Sequence, residues 1–455
     1  MSAVDTAWLR MDRPNNLMMI CGVMILRDRI ALDRLAATIE ERFLCFERFR
    51  QRPVEVDGVM YWETDRAFDI TRHVVRATLP GKAGQKQLQT LVSRLESTPL
   101  DPARPLWQFR LVEDYGGGSA LITRIHHCYA DGIALTRVVL SMTDTTRRRS
   151  RANAAPAPKV RHGGHHDVWS ADGLTGALDL ARKAGGVIID KGVELWRDPA
   201  TAVALARQGT ALAREVAKLA LMDRDSPTRL KGTPGVAKRA AWAAPIPLVD
   251  VKVVGKALQA SVNDVLLSCV AGALRDYLLR KGDRVDGVMI RALVPVNLRP
   301  IEQAAELGNR FGLVFLDLPI GIAHPVDRVL AVRANMSALK ASLQPVLSLG
   351  LLAAMGAGPK LLQDQLLLAL ARNATAVMTN VPGPQRALYL AGARIESQMV
   401  WVPQAGDIGI GVSILSYNGE VQFGVVTDRG LCPDPERISS RFAPEFEVLR
   451  QTLSA

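Results

Sequence analysis

Two adjacent histidines, His126 and His127, are followed by a carboxylate at Asp131 and a glycine at Gly132. An imidazole titrates near neutral pH, so it can take a proton from an alcohol and return one to a leaving group. A carboxylate four residues beyond His127 can fix the loop or a ring tautomer through hydrogen bonds or an arginine, without touching a substrate. Gly132 predicts a turn at a point where a Cβ would clash. The spacing therefore predicts a site for proton transfer.

The residues around this motif predict a strand, a turn and a helix that place it beside a cleft. Residues 106–114 and 120–125 have strand character, and the glycines at 116–118 predict a hairpin turn between them. Apolar residues recur at helical spacing beyond Gly132. Adjacent residues on a strand point to opposite faces, so His126 and His127 are poorly placed to share a metal ion, and no nearby residue has zinc-ligand spacing. We expect one imidazole to be packed within the protein and the other to face a cavity.

Composition indicates a globular protein with more than one domain. The chain has 455 residues, 48% of them hydrophobic, and a domain commonly has about 100–200 residues. The formal charge of +12 fits a nucleic acid, an anionic membrane surface or a polyanionic small molecule such as coenzyme A. The sequence has no helix-turn-helix, zinc-finger or RNA-binding motif, so nucleic acid is the partner that it favours least.

Five scattered cysteines, an odd number, predict reduced thiols inside a cytoplasmic protein. Cys128 lies within the motif, where a thiol nucleophile would be the alternative to histidine chemistry. The N-terminus has no charged head followed by an apolar signal core, so secretion is not indicated.

The sequence His-His-Cys-Tyr-Ala-Asp-Gly resembles the His-His-x-x-x-Asp-Gly signature of acyltransferases of the chloramphenicol acetyltransferase-like superfamily, which includes peptide-synthetase condensation domains. The Pro-Leu-Trp element ending at Trp107 narrows the resemblance to the bacterial wax ester synthase/diacylglycerol acyltransferase family. In that family's signature, Cys128 occupies a variable position. A buried strand-opening tryptophan is the structural alternative for Trp107.

Further elements resemble the family in the family's order. Asn263 and Asp264 match an Asn-Asp pair, whose roles would be support of an acyl channel or simple capping of a helix that runs to about residue 279. The oxyanion donor would be Asn263 or a backbone N–H. Arg299 ends an element similar to Pro-Val-Ser-Val-Arg and would pair with Asp131 or with a phosphate of coenzyme A. Asn309 lies in an element that resembles the family's Gly-Asn.

The resemblance implies an α/β fold with two chloramphenicol acetyltransferase-like domains, joined by a helical linker and separated by a tunnel. The domains would span residues 1–145 and 236–455, and the basic linker and helical connector would span residues 146–235. Within the connector region, residues 171–222 are Ala-rich with helical periodicity. Residues 341–359 have no charged side chain, which fits either a core helix or a lipid-facing patch, but the stretch is too interrupted to span a membrane. Residues 379–384 predict a tight turn, and residues 416–419 predict a hairpin turn.

The function that the resemblance implies is transfer of a long-chain acyl group from acyl-CoA to a fatty alcohol or diacylglycerol, which makes wax esters and triacylglycerols. His127 would be the general base, with His126 in support, and no bound cofactor or metal would be needed. A serine-nucleophile elbow is absent, which agrees with direct transfer in a ternary complex. The expected location is the cytoplasm, with peripheral contact to the inner membrane or lipid inclusions, and a homo-oligomer is left open.

Two alternatives remain at this stage. One is a condensation-domain-like acyltransferase that uses carrier-bound acyl groups, although the chain carries no recognisable carrier domain. The other is a non-enzymatic lipid-binding or lipid-droplet protein, in which the apolar stretch at residues 341–359 and the basic surface would act and the histidines would be incidental.

Overall fold

A computed structural model describes residues 1–147, 218–219, 221–298, 307–340 and 342–454 of the chain. Most of the predicted linker and connector, and the candidate residue Arg299, lie outside the described residues.

In chain order, the helices are α1 (Ala3–Arg10), α2 (Leu32–Arg42), α3 (Gln85–Glu96), α4 (Gly132–Ser141), α5 (Leu248–Ala257), α6 (Val262–Arg280), α7 (Pro325–Lys340), α8 (Gln344–Ala357), α9 (Lys360–Ala371) and α10 (Glu436–Ser454). The strands are β1 (Met19–Leu26), β2 (Gln51–Val56), β3 (Val59–Thr64), β4 (Val74–Arg76), β5 (Trp107–Tyr115), β6 (Gly118–His126), β7 (Thr143–Asp144), β8 (Lys238–Trp242), β9 (Ile246–Pro247), β10 (Ile290–Asn297), β11 (Phe311–Leu318), β12 (Ala376–Pro382), β13 (Tyr389–Leu390), β14 (Ala393–Trp401), β15 (Ile410–Tyr417) and β16 (Glu420–Asp428).

Two mixed sheets organise the described residues. The first has the order β4-β5-β6-β1-β14-β13-β7, and the second has the order β11-β10-β12-β15-β16-β8 with β9 beside β16. Strands β2 and β3 form a separate hairpin. The first sheet thus contains β13 and β14, which come from the last third of the chain, next to β1. The first sheet therefore crosses the predicted division at residues 145 and 236, whereas all strands of the second sheet lie within residues 236–455, and the domain bounds stay a prediction.

The elements predicted around the motif agree with the structure. Strands β5 and β6 are antiparallel, and they turn at Gly116 and Gly117, whose φ values of 58° and 86° favour glycine. The hairpin turn predicted at residues 416–419 is also present, with positive φ at Asn418 and Gly419. The tight turn predicted at residues 379–384 is wrong for most of its length, because β12 runs to Pro382 and is paired with β15 along its whole length.

Helix α6 begins at a capping box, in which Ser261 accepts a hydrogen bond from the Asp264 N–H and the Asp264 carboxylate accepts one from the Ser261 N–H. The helix is buried against the second sheet with α7 and α10. Helix α8, which covers most of the apolar stretch, is packed against α1 and β11, with Leu347 and Met355 fully buried. Of the two alternatives for residues 341–359, the structure favours the core helix.

Of the helices in the described ranges, none alone is both long enough and apolar enough to cross a bilayer. Helices α5 and α6 meet those criteria only as a pair, bent at 99°.

Candidate active site

The motif lies at the end of β6, a strand that is paired on both sides. His126 is the last residue of β6 and is opposite Met19 of β1. The backbone N–H of His127 donates to the Met18 carbonyl oxygen at 2.7 Å, which extends the pairing by one residue. The chain then turns and enters α4 at Gly132. Strand pairing therefore fixes the backbone of both histidines.

Asp131 fixes the turn and joins the two halves of the chain. One carboxylate oxygen accepts from the Ala134 N–H at 2.9 Å and caps α4. The other accepts from the Arg310 N–H at 3.0 Å, while the Asp131 N–H donates to the Gly308 carbonyl oxygen at 3.2 Å. A carboxylate at a helix N-terminus is favourable because it satisfies free N–H groups. These contacts fit the orienting role predicted for Asp131.

The expected clash at Gly132 is wrong. A Cβ at this position would meet no atom within 4 Å, and its φ lies outside the left-handed region. The space beside Gly132 is open, so its lack of a side chain leaves room at the start of α4 and is not required by the backbone.

The His127 ring packs against two aromatic side chains that also contact each other. It stacks on the Trp8 indole with ring centroids 4.0 Å apart and planes at 19°. Phe311 of β11 lies against the same pair, 5.5 Å from the imidazole and 5.7 Å from the indole. The three rings come from α1, the motif and β11, so His127 lies where the two halves of the chain meet.

His126 has different surroundings. Its Nδ1 accepts a hydrogen bond from the Cys128 N–H at 3.2 Å, and its Nε2 lies 3.8 Å from an Asp12 carboxylate oxygen. The two histidines thus differ, with His126 bonded inside the motif and His127 stacked on a residue that lines a cavity; that one imidazole itself faces a cavity stays a prediction. Cys128 is fully buried, and burial raises the pKa of its thiol well above the usual value. A neutral buried thiol is a poor nucleophile.

Burial keeps both imidazoles neutral. Desolvation lowers the pKa of His127 from 6.5 to about 4, although the nearby Asp131 carboxylate opposes that shift. Desolvation, and then the proximity of His127, lowers the pKa of His126 from 6.5 to about 3. A neutral imidazole is the form that can accept a proton.

Asn309 connects the motif to the N-terminal helix. Its side-chain N–H₂ donates to the Asp5 carboxylate at 2.8 Å and to the His127 carbonyl oxygen at 2.9 Å. Asp5 is buried, which raises the pKa of its carboxyl, and Arg48 lies 3.9 Å away. Sequence reasoning identified Asn309 but missed Asp5 and Trp8. The available signal was a carboxylate and an indole one helical turn apart in an otherwise largely apolar segment.

The remaining candidate residues form their hydrogen bonds elsewhere in the structure. Trp107 is a core residue, with its indole N–H donating to the Phe49 carbonyl oxygen at 2.8 Å. The Asn263 side-chain oxygen accepts from the Asn380 amide at 2.9 Å, and Asp264 caps α6 as described. Helix capping, the simpler of the alternatives for Asp264, is what its hydrogen bonds show.

A narrow apolar cavity lies next to the aromatic stack. It is enclosed by α1, β10, β11, α8, α9 and the segment before β15. Its lining residues are Trp8, Met11, Leu293, Leu313, Phe315, Ser348, Leu351, Leu352, Met355, Leu367, Ala371, Ala405 and Ile408. Trp8 therefore faces both His127 and a space lined by hydrocarbon. Within the described ranges, no group of three or more His, Cys, Asp and Glu side chains could hold a metal ion.

Comparison with known proteins identifies the family. The model of the wax ester synthase/diacylglycerol acyltransferase catalytic domain matches residues 1–266, and that of the WS/DGAT C-terminal domain matches residues 307–450. The chain belongs to the wax ester synthase/diacylglycerol acyltransferase family. A probable diacylglycerol O-acyltransferase of Mycobacterium tuberculosis (strain H37Rv) is 30% identical over 404 residues, which cover 86% of this chain and 81% of the relative. A second, putative one from that strain is 30% identical over 407 residues, covering 86% and 77%.

Solved structures show the same fold. The wax ester synthase/diacylglycerol acyltransferase from Marinobacter aquaeolei VT8 superposes with a TM-score of 0.68 at 21% identity, covering 99% of this chain and 98% of that one. The first condensation domain of the calcium-dependent antibiotic synthetase superposes with a TM-score of 0.57 at 14% identity, covering 100% and 95%. The predicted family, the fold of two chloramphenicol acetyltransferase-like domains and the acyltransferase class are thereby confirmed.

Proposed function

We propose that this chain transfers a long-chain acyl group from acyl-CoA to a fatty alcohol or diacylglycerol, with His127 as general base. The observation that carries the proposal is the position of the neutral His127 imidazole, which packs against rings from both halves of the chain, one of which, Trp8, lines an apolar cavity. Family membership supplies the reaction class. The Asp131 and Asn309 contacts hold the backbone on either side of the reacting imidazole.

The proposed step conserves atoms and charge in a ternary complex. The His127 imidazole takes the proton of the acceptor hydroxyl as the oxygen bonds to the thioester carbonyl carbon. The π electrons move to the carbonyl oxygen and form a tetrahedral oxyanion. When the oxyanion collapses, the C–S bond breaks, and the leaving thiolate takes the proton back from the imidazolium. The products are an ester and free coenzyme A, and His127 is regenerated without an acyl-enzyme.

The cavity supports a lipid substrate. Its lining is almost entirely hydrocarbon, and burying apolar surface is favourable by about 25 cal/mol per Å². A hydrocarbon chain placed there would end beside Trp8 and His127, which would bring its reactive group to the base. A dry cavity also protects the thioester from hydrolysis. Acyl-CoA is the co-substrate, and the chemistry needs no bound cofactor because the thioester itself provides the leaving group.

We also propose that the enzyme is cytoplasmic and meets a membrane or lipid inclusion through the outer face of the β2-β3 hairpin. In the register, Val56 is opposite Val59, and Tyr61 lies on the same face. These three side chains are about half exposed, whereas Trp62, on the inner face, packs on Tyr129 of the motif. An exposed apolar face above the motif fits substrates and products that are insoluble in water.

The test is an assay of purified protein with palmitoyl-CoA and hexadecanol, dioleoylglycerol or water, in which free thiol and lipid product are both followed. We expect ester formation with at least one alcohol, and its loss in His127→Ala. Turnover of a carrier-bound thioester without turnover of palmitoyl-CoA would instead favour condensation-type chemistry. A folded wild type that is silent on every acceptor would overturn the proposal and favour lipid binding alone.

A further inference from the structure

Several buried polar atoms around His127 have no hydrogen bond to another residue in the described part of the chain. They are Nε1 of Trp8, Nε2 of His126, Nδ1 of His127 and Oδ1 of Asn309, although the Asn309 side chain is near enough to the His127 imidazole to raise its pKa slightly against the effect of burial. Burying a polar group without a partner is unfavourable, so native proteins seldom do so without a functional reason. All four atoms belong to residues that are in contact with His127 or adjacent to it. Their clustering indicates that a polar ligand completes the site.

Trp8 is the member of this group that can only donate. An indole N–H has no acceptor capacity and no tautomer, so its partner must be an oxygen or another acceptor. The side chain is 5% exposed, and its ring is nearly parallel to the imidazole at 4.0 Å. Because the two rings stack, a substrate group that contacts the imidazole would also lie near the indole.

The helix that carries Trp8 is anchored on both sides of the site. The Asp5 carboxylate binds Asn309, and the Ala7 carbonyl oxygen accepts from the buried Gln363 side chain of α9 at 2.8 Å. The N-terminus of α1 is capped by Ser2, and its backbone at Ala3 lies against α8 at Gly356, where a Cβ would overlap the Ala3 carbonyl oxygen. A donor held this firmly is preorganised, which is what stabilisation of a developing charge requires.

We propose that the Trp8 Nε1–H is a hydrogen-bond donor to the thioester carbonyl oxygen, which becomes the oxyanion of the tetrahedral intermediate. The inference rests on the acyl transfer proposed above. During that step the carbonyl π electrons move to the oxygen and later return when the C–S bond breaks, and Trp8 donates throughout without giving up its proton. Asn263, the sequence-based candidate for this role, accepts from the Asn380 amide through its side-chain oxygen, a bond that does not use its N–H₂ donors.

The test removes the N–H while keeping the ring. Trp8→Phe leaves an aromatic side chain that can stack on His127, and replacement of Trp8 by β-(3-benzothienyl)alanine keeps the bicyclic shape with sulfur in place of the N–H. In both variants kcat for palmitoyl-CoA and hexadecanol is expected to fall by about 10²–10³-fold, the usual effect of losing one oxyanion donor. KM for palmitoyl-CoA should change little, and the acid limb of the kcat/KM profile should stay in place because His127 keeps its surroundings.

Trp401→Phe is the matched control. Trp401 is also buried with an unpartnered Nε1, but it belongs to a separate apolar cluster with Trp242 and α3, so its kcat should equal that of wild type. If Trp8→Phe is slow while the benzothienylalanine protein is as fast as wild type, ring shape accounts for the effect and the donor role is overturned. Unchanged kcat in both Trp8 variants also overturns it. A wild type without transferase activity would instead reject the acyl transfer itself.

Discussion

The Asn309 amide links three parts of the site with one side chain. It donates both of its N–H groups, to a carboxylate of α1 and to the carbonyl of His127. Its burial excludes water as a substitute donor, so either acceptor would be left unsatisfied if the amide were removed. Asp5 and Asn309 are therefore one unit, although 304 residues separate them in the chain.

Exchange of these two groups should separate stability from catalysis. Asn309→Asp places a carboxylate against both Asp5 and the His127 carbonyl, and we expect it to lower the free energy of unfolding by on the order of 3 kcal/mol. Adding Asp5→Asn restores a donor between the two side chains but leaves the His127 carbonyl unpaired. Urea unfolding of the double variant should recover part of the stability while kcat stays low. A double variant no more stable than Asn309→Asp would show that the two side chains are not coupled.

The buried histidines make stability depend on pH. The folded protein keeps His127 neutral down to about pH 4, whereas the unfolded chain binds a proton near pH 6.5. Unfolding therefore takes up a proton below pH 6.5, and stability falls as the pH falls. In wild type the slope contributed by His127 is up to about 1.4 kcal/mol per pH unit.

His127→Asn removes that contribution, so the free energy of unfolding, measured by chemical unfolding from pH 6.5 to pH 4.5, should depend less steeply on pH than in wild type. Identical slopes would contradict the neutral, buried assignment.

At the scale of elements, helix α3 satisfies the outer edge of β8. The hydroxyls of Ser93 and Ser97 accept from the backbone N–H groups of Ala240 and Lys238 at 2.9 Å and 2.8 Å. The amides of Gln85 and Gln89 both donate to the Trp242 carbonyl oxygen. An edge strand presents unpaired backbone groups, and here helix side chains cover them. The two halves of the chain are thus joined by directional hydrogen bonds as well as by apolar contact.

Removal of one of these hydroxyls tests the contact between α3 and β8. Ser93→Ala leaves the buried Ala240 N–H without a partner, and we expect it to cost about 1–3 kcal/mol in thermal or urea unfolding. Thr90→Ala on the same helix is the control, because the Thr90 hydroxyl is exposed and donates only to the Lys86 carbonyl oxygen within α3. Equal effects of the two substitutions would show that the hydroxyls act through the helix rather than through β8.

The elements that sequence predicts best are those determined by neighbours in the chain. The β5-β6 hairpin follows from its glycines, the start of α6 from Ser261 and Asp264, and α4 from its apolar spacing. The turn predicted at residues 379–384 fails because proline and glycine signal a turn locally, whereas pairing with β15 extends β12 to Pro382. The residue types at Asp5 and Trp8 are visible in the sequence. The stacking of Trp8 on His127 could not be predicted, because it depends on packing of α1 across the two halves.

At the scale of the whole molecule, the first sheet is built from strands of both halves of the chain. Strand β14 pairs with β1 over six residue positions. The other edge of β1 pairs with β6, the strand that ends at the motif. Strand β1 therefore has the motif strand on one side and the C-terminal part of the chain on the other. Without β14, that edge of β1 would expose unpaired backbone groups. The site depends in the same way on both halves, with His127 from one and Phe311 and Asn309 from the other. The geometry of the candidate site and assembly of the first sheet are therefore coupled.

The hairpin above the motif provides the last test, which concerns where the molecule meets lipid. Arg10 connects the hairpin to α8 by donating to the carbonyl oxygens of Gly58 and Gly358, and Leu361 nearby is 72% exposed. Val56→Glu with Val59→Glu places two charges on the outer face and removes apolar contact. Because burial of a valine contributes roughly 1.5 kcal/mol or more and 1.4 kcal/mol is tenfold, flotation with phosphatidylcholine and phosphatidylglycerol vesicles should fall at least about tenfold.

The control, Val249→Glu with Val253→Glu, alters two similarly exposed valines on α5 and should float like wild type. Loss of flotation in the α5 variant alone would place the lipid-facing surface at α5 and contradict the assignment to the hairpin.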